Sequence, residues 1–144
     1  MALSLRGKGR IMKPISAKVP KALQLKSMLE CADNSGAKRL ELISVKGYKG
    51  RLRRIPKAGI GDVVICSVVK GKEKLVHTVV HAVIVRQKKE FRRPDGMHVK
   101  FTDNAAVLVN PKTFEPQGTE VRTAIAKEVV ERFSPIGKIA SIIV

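Results

Sequence analysis

Val63-Val64-Ile65-Cys66-Ser67-Val68-Val69 is a run of β-branched and small apolar residues, and Val76-His77-Thr78-Val79-Val80-His81-Ala82-Val83-Ile84-Val85-Arg86 follows it across a lysine-flanked Gly71. Side chains branched at Cβ fit the pleated, crowded surface of a sheet, so both runs read as buried strands. Working outward, residues 28–32 form a further candidate strand. Asp33-Asn34-Ser35-Gly36 then supplies short polar side chains and a glycine for a turn, with Asn34 holding that turn. Residues 38–45 alternate, with Leu40, Leu42 and Val45 on or near one face. Pro94-Asp95-Gly96 marks a turn before a strand at 97–101, and Asp103-Asn104 marks another before a strand at 105–109. Short strands with turns roughly every 8–12 residues argue for a closed β-barrel rather than a βαβ sheet. Closure also removes exposed sheet edges.

The ends of the chain differ from this middle. Residues 1–27 mix Arg, Lys, Gly, Pro and Ser, and Pro14 and Pro20 forbid a long helix across them. They read as a basic arm that orders only on its partner. At the other end, Thr123 is placed to cap a helix over 124–133, with Ile125, Val129 and Phe133 on one face and Pro135 and Gly137 as its stop. Residues 139–144 are apolar and suit either a last strand or a short helix. The expectation is one domain: a basic extension at 1–27, a barrel with basic loops at 28–110, and a C-terminal helical part at 111–144.

Charge is the strongest functional signal. The 144 residues carry 29 Lys plus Arg against 12 Asp plus Glu, a net charge of +17. A field of that size repels itself unless a polyanion absorbs it. The charge is clustered: 1–26 holds seven bases and no acid, 46–57 six bases and no acid, and 86–100 six bases and two acids. Those three stretches account for the whole net charge, whereas 101–144 balances five bases with five acids. One part of the protein therefore faces a polyanion and the C-terminal part serves something else.

Nucleic acid is the commonest polyanionic partner. The arginines of the basic loops suit it, because a guanidinium fork binds phosphate bidentately. RNA is favoured over DNA: the bases sit on loops and a tail, which match irregular RNA shape better than a major groove. Aromatics make up only 3% of the chain, so phosphate contact and RNA shape should outweigh base stacking. Arg51, Arg53, Arg54, Lys57, Arg92 and Arg93 are the first candidates for phosphate contact. Lys38, Lys49, Arg86, Lys88 and Lys89 follow.

Enzymatic readings find no support. There is no phosphate-binding glycine loop ending in Lys-Ser/Thr, no nucleophile elbow and no paired carboxylates. His77 and His81 are spaced as metal ligands would be on a helix, but the local sequence reads as a β-branched strand, where they would share a face about 13 Å apart, too far to share a metal. Cys31 and Cys66 read as small core residues in a reducing compartment. No apolar run reaches the ~18 residues of a membrane span, and the N-terminus lacks a secretory pattern. The expectation is a cytoplasmic, non-enzymatic protein without a cofactor. A free nucleic-acid chaperone or translation factor on a small barrel and an RNA-modifying enzyme are the weighed rivals; the low aromatic count speaks against a single-strand chaperone and the absent catalytic motif against an enzyme.

Ala32-Asp33-Asn34-Ser35-Gly36-Ala37, then Ala82-Val83-Ile84-Val85-Arg86, then Arg92-Arg93-Pro94-Asp95-Gly96, then Phe101 with Asn104 and Val107, resemble in order the blocks of the universal large-ribosomal-subunit protein fourteen family. Residues 43–51 and the N-terminal extension resemble its archaeal and eukaryotic branch. The resemblance implies a five-stranded β-barrel with a small C-terminal helical part. It implies binding to large-subunit rRNA near the subunit interface and a bridge contact to small-subunit rRNA. It also implies neighbours in proteins three and twenty-four of the large subunit, and docking of the anti-association initiation factor six. One departure stands out. Where many members read Gly-Pro-Val a few residues after Gly118-Thr119, this chain has Thr123-Ala124-Ile125, which eases a helix starting at Ala124. The balanced tail suggests a protein-facing surface over 119–144, with Glu128, Glu131 and Arg132 as its candidate contacts.

Overall fold

The computed structural model describes residues 13–144, and its elements run β1 (Leu23–Gln24), β2 (Met28–Cys31), β3 (Ala37–Val45), β4 (Lys57–Ala58), β5 (Val63–Gly71), β6 (Val79–Arg86), β7 (Phe91–Arg92), β8 (His98–Val99), β9 (Ala105–Val109), β10 (Val121–Ile125), α1 (Lys127–Arg132), α2 (Ser134–Ile139) and β11 (Ala140–Ile143). Five of them close a barrel in the order β2-β3-β5-β6-β9. Neighbours are antiparallel except at the seam, where β2 and β9 run parallel through Glu30↔Ala105 and Cys31↔Ala106. The closed, mainly β fold expected from the strand spacing is present.

The burial pattern explains which strands were easy to read. In β3, Ala37, Leu40 and Leu42 point inward while Lys38, Arg39 and Ile43 face out, with the phase shifted by bulges in its pairing with β5. All five residues of β9 are buried, as are the last five of β6. Those two strands are covered on the side away from the barrel by the C-terminal segment. Ala126 N–H donates to Val85 C=O at 3.4 Å, Gln117 N–H donates to Leu108 C=O at 2.9 Å, and Val121, Ile125, Val129 and Ile136 join the barrel core. Continuous apolar runs are the signature of strands buried on both faces.

Three local expectations give way. The strand expected at 97–101 shrinks to His98–Val99, which pairs only with Phe91–Arg92 as a small hairpin outside the barrel. Met97 is exposed, and beyond Val99 the Phe101 N–H leaves the hairpin and donates to Gln87 C=O at 3.3 Å. The strand expected from Val76 begins at Val79, because residues 72–78 are drawn into turns that place His77 at φ 64°. His77 and His81 therefore do not share a strand. The helix expected over 124–133 begins only at Lys127; its N-cap is Ala126, without a side-chain cap, and Thr123 is an exposed residue of β10.

The reason for the last difference is physical. Residues four apart share a face in a strand as well as in a helix. Ile125, Val129 and Phe133 are all buried, so the pattern was real, but its first member is in β10. β10 pairs in parallel with β11, which settles the apolar 139–144 stretch as largely strand. Pro135 opens α2 rather than only ending α1, since the first turn of a helix needs no N–H there. Gly137 lies inside α2 because a Cβ would come within 2.5 Å of Val130 Cγ1 on α1.

The described part of the basic extension contacts the body of the chain. Arg6, Lys8 and Arg10 lie outside the described residues. From Lys13 onward the segment is stitched to the body: Lys18 N–H donates to Arg92 C=O at 3.1 Å, Ala17 and Val19 pack on the core, and Leu23 is buried opposite Ala58. Residues 13–27 therefore have anchors within their own chain.

Candidate nucleic-acid interface

The ribbon leaving β3 is shaped by its own backbone. Lys46 N–H donates to Val63 C=O at 2.9 Å, and Tyr48 N–H donates to Val45 C=O at 3.3 Å, fixing its base. The Tyr48 hydroxyl reaches Ile55 C=O at 3.4 Å and pins one limb to the other. At the tip, Arg54 N–H donates to Arg51 C=O at 3.0 Å, and Arg53 takes φ 66°. An extended ribbon would point Arg51 and Arg53 the same way; the chain turns here instead. A non-glycine residue in the left-handed region is uncommon and is held there by the surrounding bonds.

Lys49, Arg51, Arg53, Arg54 and Lys57 are all exposed, and none forms an ion pair among the described residues. Leu52, 90% exposed, and Ile55 project among them. Lys46 is the exception in this stretch. Its ammonium donates to Pro111 C=O at 3.1 Å and sits 4.8 Å from the Phe114 ring, tying the ribbon to the C-terminal segment. A cleft of about 200 Å³ at the ribbon base is lined by Lys21, Lys46, Tyr48, Lys57 and Asp62, and Asp62 already holds Lys21.

The second basic stretch divides. The Arg86 guanidinium is buried, forks onto both Asp103 oxygens at 2.9 Å each, and donates to Ala124 C=O at 2.8 Å. Arg93 forks onto buried Glu128 at 2.8 and 3.3 Å and donates to Val144 C=O at 2.7 Å. Arg86 thus ties the barrel, and Arg93 the β7–β8 hairpin, to the C-terminal segment, and both guanidinium forks are already engaged. Lys88, Arg92 and Lys100 are exposed. Lys89 is exposed too, but pairs with Glu90 at 2.7 Å, and that hydrogen bond holds the Glu90 carboxyl below its ordinary range. Lys38 is exposed beside Lys72 on a cleft of about 600 Å³ that also contains Glu30 and Asp33.

Among the interface candidates, only Glu131 presents an exposed side chain. Glu128 is the buried partner of Arg93, and half-buried Arg132 lies 3.9 Å from Asp62 and over the Phe133 ring. Exposed Ile142, Ile143 and Val144 on and beside β11 went unnoticed as surface residues, because an apolar run in sequence reads as core. Gln87 was missed as well. Fully buried, it accepts from Ile60 N–H at 3.1 Å and donates to Lys89 C=O at 3.1 Å, which fixes the loop that carries Lys88 and Lys89. A polar residue ending a long apolar run was its only signal.

The polar turn after β2 is structural. Asp33 accepts from Ser35 N–H at 3.2 Å and from Leu108 N–H at 3.0 Å, while Asn34 exchanges hydrogen bonds with the Thr119 side chain and backbone, each at 2.8 Å. Cys31 and Cys66 are free thiols. Burial pushes each up to about 12, with Asp33 adding to the effect on Cys31. No group of three or more His, Cys, Asp or Glu that could hold a metal occurs among the described residues, and no helix among them is long and apolar enough to cross a membrane.

Comparison with known proteins agrees with the fold. The profile of the family described as ribosomal protein L14p/L23e matches residues 22–144. The large ribosomal subunit protein uL14 of Nanoarchaeum equitans is 54% identical over 133 residues, covering 92% of this chain and all of the relative. The proteins of the same name from Methanocella arvoryzae and Methanothrix thermoacetophila are each 50% identical over the same lengths. A profile spanning nearly the whole described chain, together with relatives at half identity or better, places the residues in one lineage: the chain belongs to the L14p/L23e family of ribosomal proteins.

Proposed function

We propose that this chain is a structural constituent of the large ribosomal subunit that binds large-subunit rRNA near the subunit interface and contributes to a bridge with small-subunit rRNA. Its relatives are large-subunit proteins by name. The observation that carries the reading is the pinned ribbon, where Lys49, Arg51, Arg53, Arg54 and Lys57 stand exposed without an acid to neutralise them. Lys88, Lys89 and Arg92 are further contacts in this reading, and Lys38, at the opposite end of β3 from the ribbon, is a separate one. Arg86 and Arg93 shape the contact surface from inside. The chain works in the cytoplasm, on the ribosome, and performs no chemistry of its own.

The C-terminal surface serves protein neighbours in this reading. Ile142, Ile143 and Val144 offer apolar area beside Glu131. Large-subunit proteins three and twenty-four and the anti-association initiation factor six are its partners.

Cosedimentation tests the assignment. The chain should travel stoichiometrically with the large subunit through a moderate-salt wash. The triple variant Arg51→Gln/Arg53→Gln/Arg54→Gln should bind rRNA less tightly. It should also flatten the plot of log affinity against log salt by about one unit for each phosphate the protein no longer neutralises. Recovery of the unaltered chain chiefly in the soluble supernatant would reject the reading.

A further inference from the structure

We propose that the cleft formed by Lys88, Lys100, Phe101 and Thr102 seats one unstacked nucleotide of the bound RNA, its base against Phe101 and its phosphate between the two lysines. The inference rests on the RNA-binding reading above and names a subsite within it.

The chain has five aromatic side chains, four Phe and one Tyr. Phe91 and Phe133 are buried. Phe114 packs edge-on against Phe133 at 5.8 Å and lies under the Lys46 ammonium. Tyr48 pins the ribbon and lines the small cleft that Asp62 and Lys21 occupy. Phe101 differs from these. It rests on the core, is half-buried, and lines a cleft of about 490 Å³. That volume falls within the roughly 300–1,000 Å³ of small-ligand sites, whereas the Tyr48 cleft falls below it.

The chemistry of the walls selects the occupant. Lys88 and Lys100 are exposed cations on the cleft, and no carboxylate lines it. The nearest acids in sequence are engaged: Asp103 receives the Arg86 fork, and Glu90 pairs with Lys89 while also feeling Lys100. Thr102 lines the same cleft, and its hydroxyl, without a hydrogen-bond partner among the described residues, is left for a base edge or a ribose 2′-OH. An aromatic surface, two cations and a free hydroxyl match the base, phosphate and polar edge of a nucleotide. A phosphate ion alone would leave Phe101 unused, and an apolar peptide would meet two uncompensated charges.

The cleft is held in shape before any ligand arrives. Phe101 N–H donates to Gln87 C=O at 3.3 Å, and Lys88 N–H donates to Asn104 Oδ1 at 2.8 Å. The Asn104 backbone C=O accepts from Glu30 N–H at 2.9 Å, which anchors the floor to the barrel seam.

Short-wavelength ultraviolet crosslinking of large subunits that carry the full chain tests the proposal. Mass spectrometry locates the adduct on the protein, and reverse-transcription stops locate it on the rRNA. The expected result is an adduct on Phe101 at one rRNA position. Phe101→Leu keeps the apolar packing, abolishes that stop, weakens binding about tenfold because the base has no ring to stack on, and leaves the chain on the subunit through the salt wash. The exposed pair Lys88→Gln/Lys100→Gln lowers the adduct yield and flattens the salt dependence by about one log unit per log unit of salt; it decides the matter if Phe101→Leu fails to fold. Adducts on the 46–57 peptide with none on Phe101 would overturn the subsite and leave RNA binding standing. A protein crosslinked at the cleft would overturn it in favour of a protein partner. No adduct anywhere, with the chain in the supernatant, would defeat the RNA reading itself.

Discussion

Replacing Arg93 with methionine removes a guanidinium while keeping most of its side-chain volume, and it tests the joint between the basic hairpin and the C-terminal segment. Glu128 is 1% exposed, and both its oxygens receive Arg93 N–H groups at 2.8 and 3.3 Å. No other ion pair reaches that carboxylate among the described residues. Breaking one side of a buried pair costs about 3–5 kcal/mol, because the remaining group stays desolvated without its partner. The Val144 carbonyl adds little, since it belongs to an exposed residue and retains the Lys127 N–H at 2.9 Å. In a chain of this length the loss amounts to roughly 10–20 °C of melting temperature. Arg93→Met/Glu128→Met removes both partners, and it should return to within about 1 kcal/mol of the parent or exceed it, because apolar packing often equals a buried pair. Urea denaturation of the full chain, followed by far-ultraviolet circular dichroism, measures all three proteins. A loss below about 1 kcal/mol for Arg93→Met, or a double variant as unstable as the single one, would refute the reasoning.

Two other perturbations probe the barrel. Gly71→Ala would set a Cβ 2.7 Å from Gly36 C=O and 2.9 Å from Ala37 Cα, both backbone atoms that cannot rotate away, and should cost about 1–3 kcal/mol in thermal or urea unfolding. Cys31 and Cys66 keep their protons in the folded chain up to about 12, whereas the unfolded chain releases them near 9.0. Their contribution is therefore complete below pH 9 and lost as pH rises toward 12, so urea midpoints should fall across that window, and less steeply in Cys31→Ser/Cys66→Ala.

The barrel was legible because its strands carry their burial in their composition. β5, β6 and β9 are nearly unbroken apolar runs, and β3 alternates around Leu40 and Leu42. What the sequence concealed lies where two geometries share one pattern. Apolar spacing of four serves β10 and α1 equally, so the end of the strand Val121–Ile125 was hidden inside a helical reading of 124–133. The described arm was hidden for another reason: its anchors are isolated residues, Val19 and Leu23, and its pairing with Lys57–Ala58 spans only two residues. No periodicity exists in so short a contact.

The site was less legible than the fold because charge counting cannot tell a free cation from an engaged one. Arg51 and Arg86 look alike in sequence, yet one is exposed on a turn and the other is buried against Asp103. The difference lies in acids that arrive from later in the chain, Asp103 at 17 residues from Arg86 and Glu128 at 35 from Arg93. This changes the meaning of the balanced C-terminal composition. Two of its five acids reach back to neutralise arginines of the basic stretch, so balance there records internal pairing as much as a neutral outer face. The case for a protein-facing surface then passes from charge balance to the exposed Ile142, Ile143 and Val144. The case for an RNA-facing surface narrows to cations without an acid within reach, foremost the ribbon of Lys49, Arg51, Arg53, Arg54 and Lys57. A basic residue belongs to the partner only when the fold has not already claimed it.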